Sequence, residues 1–214
     1  MQDHLAVDAS EHVIVEPKSK PVHVRIARHV SNILAPAPVS LPFIVLIALY
    51  HARNVLQAVL YALLTLFFLC VGPLLYIVTA VRMGNISDMD ISRRTERAGP
   101  FLFGISSVLA GWLALIILHG PGNLQTVLII TAVSGIVMMV TTLWWKISIH
   151  ASSMGGAATM LTAFYGAVML PTFLLLILVS WSRVVLRRHT VLQVVAGSLV
   201  SIALTLLVLK IRGI

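Results

Sequence analysis

Two short stretches of this chain carry residue types suited to phosphate chemistry. One reads Ser182-Arg183, five residues, His189, three residues, Gln193; the other reads Lys146-Ile147-Ser148-Ile149-His150. A third basic stretch adds Arg93, Arg94 and Arg97. Hydrolysis of a phosphate monoester needs cations for the non-bridging oxygens and for the charge that develops on them. It also needs a nucleophile for phosphorus and an acid for the departing alkoxide. Two histidines and several Arg and Lys side chains supply every one of these groups, so neither a metal nor a cofactor is expected.

The elements that must position these residues are membrane helices. Of 214 residues, 59% are hydrophobic and 10% charged, with mean hydropathy +1.00. A soluble domain carries about a quarter charged residues, and the alternation of a membrane barrel is absent. The expected fold is an all-α polytopic membrane helix bundle. Spans are predicted at 36–51, 55–81, 101–119, 123–145, 151–169, 171–187 and 190–210. Residues 151–181 form one apolar stretch of about 46 Å as a helix, too long for a hydrocarbon core of ~30 Å unless strongly tilted. A turn near Gly166 and Pro171 gives seven spans; a single helix there gives six.

Charge arbitrates between the two counts. All fifteen Lys and Arg lie outside the apolar runs, and the formal net charge is +8. With seven spans, twelve of them share one face, leaving Arg53, Lys210 and Arg212 on the other. The positive-inside rule then puts the N-terminus and both His-bearing loops in the cytoplasm. Trp144, Trp145 and Trp181 fall at the same face, as an interfacial aromatic belt should. Six spans would place the two histidines on opposite faces. Basic residues that flank helices point to orientation and anionic lipid, so nucleic acid is not an expected partner. Residues 1–34 are read as a cytoplasmic tail, polar and disordered to residue 20. A surface helix at 21–34 is expected from Val22, Ile26, Val30 and Ile33 at helical spacing. Residues 35–214 form the transmembrane domain. Cys70 lies inside an apolar run and reads as a small packing residue.

These residues resemble the motifs of the type-2 phosphatidic-acid phosphatase superfamily of integral membrane lipid phosphatases, over roughly 88–200. Its third motif, Ser-Arg, five residues, His, three residues, Asp, is met by Ser182, Arg183 and His189, with Gly197 following as is common in the family. The second, Pro-Ser-Gly-His, survives as Ser148-Ile149-His150. The first, Lys, six residues, Arg-Pro, is met loosely between Asp90 and Pro100. The two histidines stand 39 positions apart, which suits two membrane crossings. The pattern looks like a divergent bacterial branch, in a bacterial cell membrane. The resemblance implies a phosphoric monoester hydrolase acting on a phosphorylated lipid or an isoprenyl diphosphate. It implies His189 as the nucleophile, passing through a phosphohistidine, and His150 as the acid. Arg183, Lys146, Arg93 or Arg94, and Arg97 would hold phosphate, and Ser148 would hydrogen-bond to it beside Ser182.

One departure bears on the chemistry. Gln193 stands where the family has the Asp that orients the nucleophilic His. A Gln oxygen can fix the imidazole tautomer but cannot stabilise a developing cation. In a serine-protease triad the change from Asp to Asn costs ~10⁴ in rate. The alternative is therefore a weakened member that acts as a lipid-binding or structural subunit of a larger membrane complex. A prenyltransferase-like reading of Asn85, Asp88 and Asp90 needs a second acidic loop, which the sequence lacks.

Overall fold

The computed structural model describes residues 21–51, 54–89, 91 and 93–214, with only the backbone of His51 and Arg94. The tail expected at 1–20 lies outside them. Among the described residues eight helices follow one another: α1 Val22–Ile33, α2 Pro36–His51, α3 Val55–Arg82, α4 Ala98–Ile117, α5 Gly122–Thr142, α6 Ile149–Tyr165, α7 Thr172–Val185 and α8 Val191–Ile211. No strand occurs among the described residues. Apolar side chains such as Leu63, Leu74, Leu113, Leu174 and Leu199 stand exposed along the helices. On a soluble monomer so much exposed apolar surface would be a liability; here it is the lipid-facing wall of an integral membrane protein.

Each of the seven predicted spans corresponds to a helix. Five segments are long and apolar enough to cross a membrane unaided: Val55–Arg82, Ala98–Ile117, Gly122–Thr142, Ala167–Val185 and Val191–Ile211. Helices α1 and α2, bent by 45° at their junction, form a sixth candidate as a pair. Helix α6 has 17 residues, about 25 Å at 1.5 Å per residue. It is the most enclosed helix, with ten buried residues. Surrounded by α2, α7 and α8, it need not present an apolar face to lipid. The stretch 151–181 is not one helix. Gly166 ends α6 at φ +80°, a conformation open to glycine, and a single 3₁₀ turn, Ala167–Met169, leads into α7. This reversal returns the chain to the end where α6 began.

Packing in lipid comes from close approach and satisfied polar groups rather than from expulsion of water. Gly155, Gly156, Ala157 and Ala158 supply the close approach on α6. A Cβ on Gly156 would lie 2.9 Å from Ser201 Oγ of α8. Threonine hydroxyls within the spans donate to carbonyls one turn back, as Thr126 does to Gly122 and Thr159 to Gly155, both at 2.8 Å. Helix α3 contains a π-helical turn, Phe67–Val71, just before Pro73. Proline lacks the N–H that would continue the regular ladder, and Ser107 of α4 donates to the Phe68 carbonyl at 2.7 Å. One buried cluster, built around Ile44, Ile47, Leu124 and Leu128, joins α2 to α5. A smaller one, Ala151, Met154, Ala158, Leu176, Val179 and Val194, locks α6, α7 and α8 together beneath the two histidine loops.

Candidate functional site

Helix α7 ends in a Schellman turn. Arg187 N–H donates to the Val184 carbonyl at 2.9 Å and Arg188 N–H to the Arg183 carbonyl at 3.1 Å. Arg187 fills the left-handed position at φ +53°, usually taken by glycine. A side chain there costs roughly 1–2 kcal/mol. The tight turn lets His189 N–H also reach the Arg183 carbonyl, at 3.4 Å. Thr190 then starts α8 through a capping box with Gln193.

The capping box fixes the histidine tautomer. Thr190 N–H donates to Gln193 Oε1 at 3.2 Å, so the acceptor oxygen of the amide must face that side. His189 Nδ1 lies 3.2 Å from the same oxygen. An acceptor on Gln193 requires a proton on Nδ1, which leaves the lone pair on Nε2. Burial, then the positive charges of Lys146 and Arg183, push the His189 pKa down to about 4 against the opposing effect of the Gln193 hydrogen bond, with Arg97 adding to the depression. At neutral pH His189 is a neutral imidazole with an unprotonated Nε2, the protonation state a nucleophile requires.

The loop before α6 is fastened to this turn by backbone. Ser148 N–H donates to the Gln193 carbonyl at 3.2 Å. A Cβ on Gly197 would stand 2.9 Å from the Ser148 oxygen, so only glycine permits this approach. Ser148 is fully buried, and its hydroxyl caps α6 by accepting from Ala151 N–H at 3.4 Å. Ser182 is fully buried too, and its hydroxyl donates to the Val179 carbonyl at 2.7 Å. Lys146 is brought beside the turn. Burial, then repulsion from Arg97, Arg183 and Arg188, lowers its pKa, with Asp88 opposing. Cations gathered this closely repel one another, and a bound anion would relieve that repulsion.

Arg97 carries the third basic stretch into the cluster. It is 6% exposed, and its Nε donates to the Ile91 carbonyl at 3.0 Å. Burial lowers its pKa and Asp88 opposes. Arg93 instead points away, 72% exposed and 3.5 Å from Glu96. The side chain of Arg94, like Asp90, lies outside the described residues. Of the acids in this loop, Asp88 acts on Arg97 and Lys146, whereas Glu96 accepts from Ser87. The charges that shift His189 are all cations.

His150 opens onto a cavity of about 580 Å³ that Arg183 and Arg188 also line; His189 does not line it. Two further lining residues, Arg28 and Ser31, come from α1. Arg183 is buried, and its Nη1 donates to Ser31 Oγ at 2.8 Å. Sequence reasoning missed this partner because it lies 152 positions away and no motif includes it.

Residues 131–213 match the family model of the PAP2 superfamily. The match takes in both histidine loops and Gly197 and leaves out Arg93, Arg94 and Arg97. No curated protein and no solved structure matches the chain. Over residues 131–213, from the middle of α5 to just past α8, this integral membrane protein resembles the PAP2 superfamily.

Proposed function

We propose that the protein is a membrane lipid phosphatase that cleaves a lipid phosphate or an isoprenyl diphosphate through a phosphohistidine. The observation that carries this reading is His189, held neutral with Nε2 unprotonated among Lys146, Arg183 and Arg97. In the first step Nε2 attacks phosphorus. The P–O bond to the leaving group (the lipid alcohol, or the lipid monophosphate from a diphosphate) breaks, and the departing oxygen takes a proton from His150. In the second step water attacks phosphorus and gives a proton to His150 as the new P–O bond forms; the P–N bond breaks, releasing phosphate and restoring His189. Arg183, Lys146 and Arg97 balance the charge on the phosphoryl oxygens throughout. The N-terminus and the site are assigned to the cytoplasmic face of a bacterial cell membrane, from the bias of Lys and Arg to that end.

One observation favours a second reading. Gln193 offers His189 an amide oxygen where a carboxylate would stabilise the developing cation. On that reading the chain binds a phosphorylated lipid without turning it over, or is a subunit of a membrane complex. Phosphate release from phosphatidic acid and from undecaprenyl and farnesyl diphosphates separates the two. The phosphatase reading expects release by the detergent-purified protein that both His189→Ala and His150→Ala abolish. Well-folded protein that releases no more than those variants on any of the lipids would establish the second.

A further inference from the structure

The N-terminal helix is docked at the site, and its wheel shows what it contributes. The apolar residues Val22, Ile26 and Ile33 are at least half exposed and face outward. The buried positions are instead Ala27 and Ser31, and the helix packs on α7. A helix that only rested on the membrane would need no buried serine paired to a buried arginine. Ser31 accepts from Arg183 Nη1 at 2.8 Å, while Arg28 reaches the cavity that His150, Arg183 and Arg188 line. Among the described residues that lining holds three arginines and a histidine. A basic lining of this kind suits the head of the phosphorylated ligand proposed above.

The cavity does not stand alone. Asn32 also lines an apolar groove of about 740 Å³ that runs between α2, α6 and α7, past Phe43, Leu46, Ala157 and Leu175. The 45° bend between α1 and α2 follows directly after Asn32. Basic hollow and apolar groove thus meet at one residue, where the chain turns from α1 into α2. A ligand that fills both has an anionic head and a hydrocarbon chain.

We propose that α1 is part of the binding site, with Arg28 holding the phosphate head, Ser31 positioning Arg183, and the chain of the same ligand lying in the groove. This deepens the phosphorylated-lipid reading and rests on it, but it does not require turnover. Arg28 is a binding residue and Ser31 a positioning residue; neither takes part in bond making.

The test is equilibrium binding to the full-length His189→Ala protein in detergent, so that no ligand is consumed. The probes are farnesyl monophosphate, butyl phosphate, farnesol and inorganic phosphate. Arg28→Gln changes an exposed side chain and should fold normally. It should weaken farnesyl and butyl phosphate about tenfold each and leave farnesol unchanged, since charge-assisted hydrogen bonds are worth roughly one such factor. Ser31→Ala should act in the same direction and Ser31→Thr should restore binding, a rescue that a purely structural hydroxyl would not give selectively for phosphate-bearing probes. Ala157→Phe, or Leu46→Trp from the opposite wall, should weaken farnesyl phosphate severalfold and spare butyl phosphate. Binding of farnesyl phosphate within twofold of the parent in folded Arg28→Gln protein would overturn the role of α1. Inorganic phosphate binding as tightly as farnesyl phosphate would overturn the groove assignment, and absence of saturable farnesyl phosphate binding would overturn the whole. Phosphate release by the unsubstituted protein is read separately. A failure of turnover with binding intact removes the phosphatase reading alone.

Discussion

The loop before α6 and the turn before α8 are fastened to each other, whereas the loop between α3 and α4 is fastened mainly to itself. Ser148 and Gln193 share a backbone hydrogen bond, and Gly197 leaves no room for anything between them. In the third loop, the Ser87 N–H and hydroxyl both donate to Glu96 at 2.8 Å, and Arg97 donates to Ile91 at 3.0 Å. Among the described residues, Arg97 and Asp88 reach the histidine end through their charges. The family match divides along the same line, covering the first pair and stopping short of the third loop. Two parts fixed by backbone carry His150 and His189, the groups that the phosphatase reading needs at one phosphate. On that reading Arg97 would act through a longer-ranged field, which tolerates a looser mount.

The largest expected effect comes from breaking the fixed pair at its chemistry. His189→Ala should lower kcat by at least about 10⁴, and His150→Ala by about 10²–10⁴ with a lipid leaving group. An activated ester such as p-nitrophenyl phosphate, whose leaving group needs no acid, should rescue only the second, in steady-state assays. Next is the contact itself. Gly197→Val forces a side chain against the Ser148 backbone. It should cost about 1–3 kcal/mol in thermal unfolding and reduce kcat far more than it changes KM. Arg97→Ala should lose about 10²-fold in kcat/KM, comparable to removal of one charge-stabilising donor. Arg93→Ala, which breaks only an exposed ion pair, should stay within about twofold; equal losses at both positions would remove the distinction drawn within the third loop.

A subtler effect sharpens the role of Gln193. His189 has a folded pKa of about 4 against an ordinary value of 6.5. Between those values the unfolded chain holds the extra proton, so this residue's contribution to stability is complete above pH 6.5 and is lost as pH falls toward 4. Gln193→Asp should raise the pKa of His189, because a carboxylate favours the imidazolium. The acid limb of kcat/KM should move to higher pH, and kcat should rise about tenfold if charge stabilisation limits the parent. An unmoved limb would show that another group governs it. Orientation is tested by a single cysteine at exposed Met83, in a Cys70→Ala background. Impermeant thiol reagents should fail to label it in intact cells and label it after lysis.

Much of this arrangement was legible before any coordinates. Apolar runs located seven helices, because length and hydropathy are what a bilayer selects. Gly166 and Pro171 marked a place where the chain could turn between α6 and α7, and Ser182, Arg183 and His189 fell in the loop read between the last two spans. Pairings between distant positions were not legible. Ser31 meets Arg183 only because α1 folds back onto α7. The apolar stripe of α1 was visible, but the face it docks with carries Ala27 and Ser31, two small residues without a periodic signal. Ser148 and Ser182 matched family motifs by type, yet both hydroxyls are engaged by helix backbone and both side chains are fully buried. Gln193 read as a missing carboxylate. In the structure the same oxygen also caps α8, which ties the start of the helix to the tautomer of His189.

The central claim is that His189 takes the phosphoryl group, and the most direct measurement is to trap it there. Purified protein is mixed with lipid phosphate carrying radiolabel on phosphorus, quenched within milliseconds in alkali, and digested for mapping. The account predicts label stable to base and labile to acid on the peptide containing His189, absent from His189→Ala protein. Turnover with label on another residue, or with no labelled protein at any quench time, would contradict it.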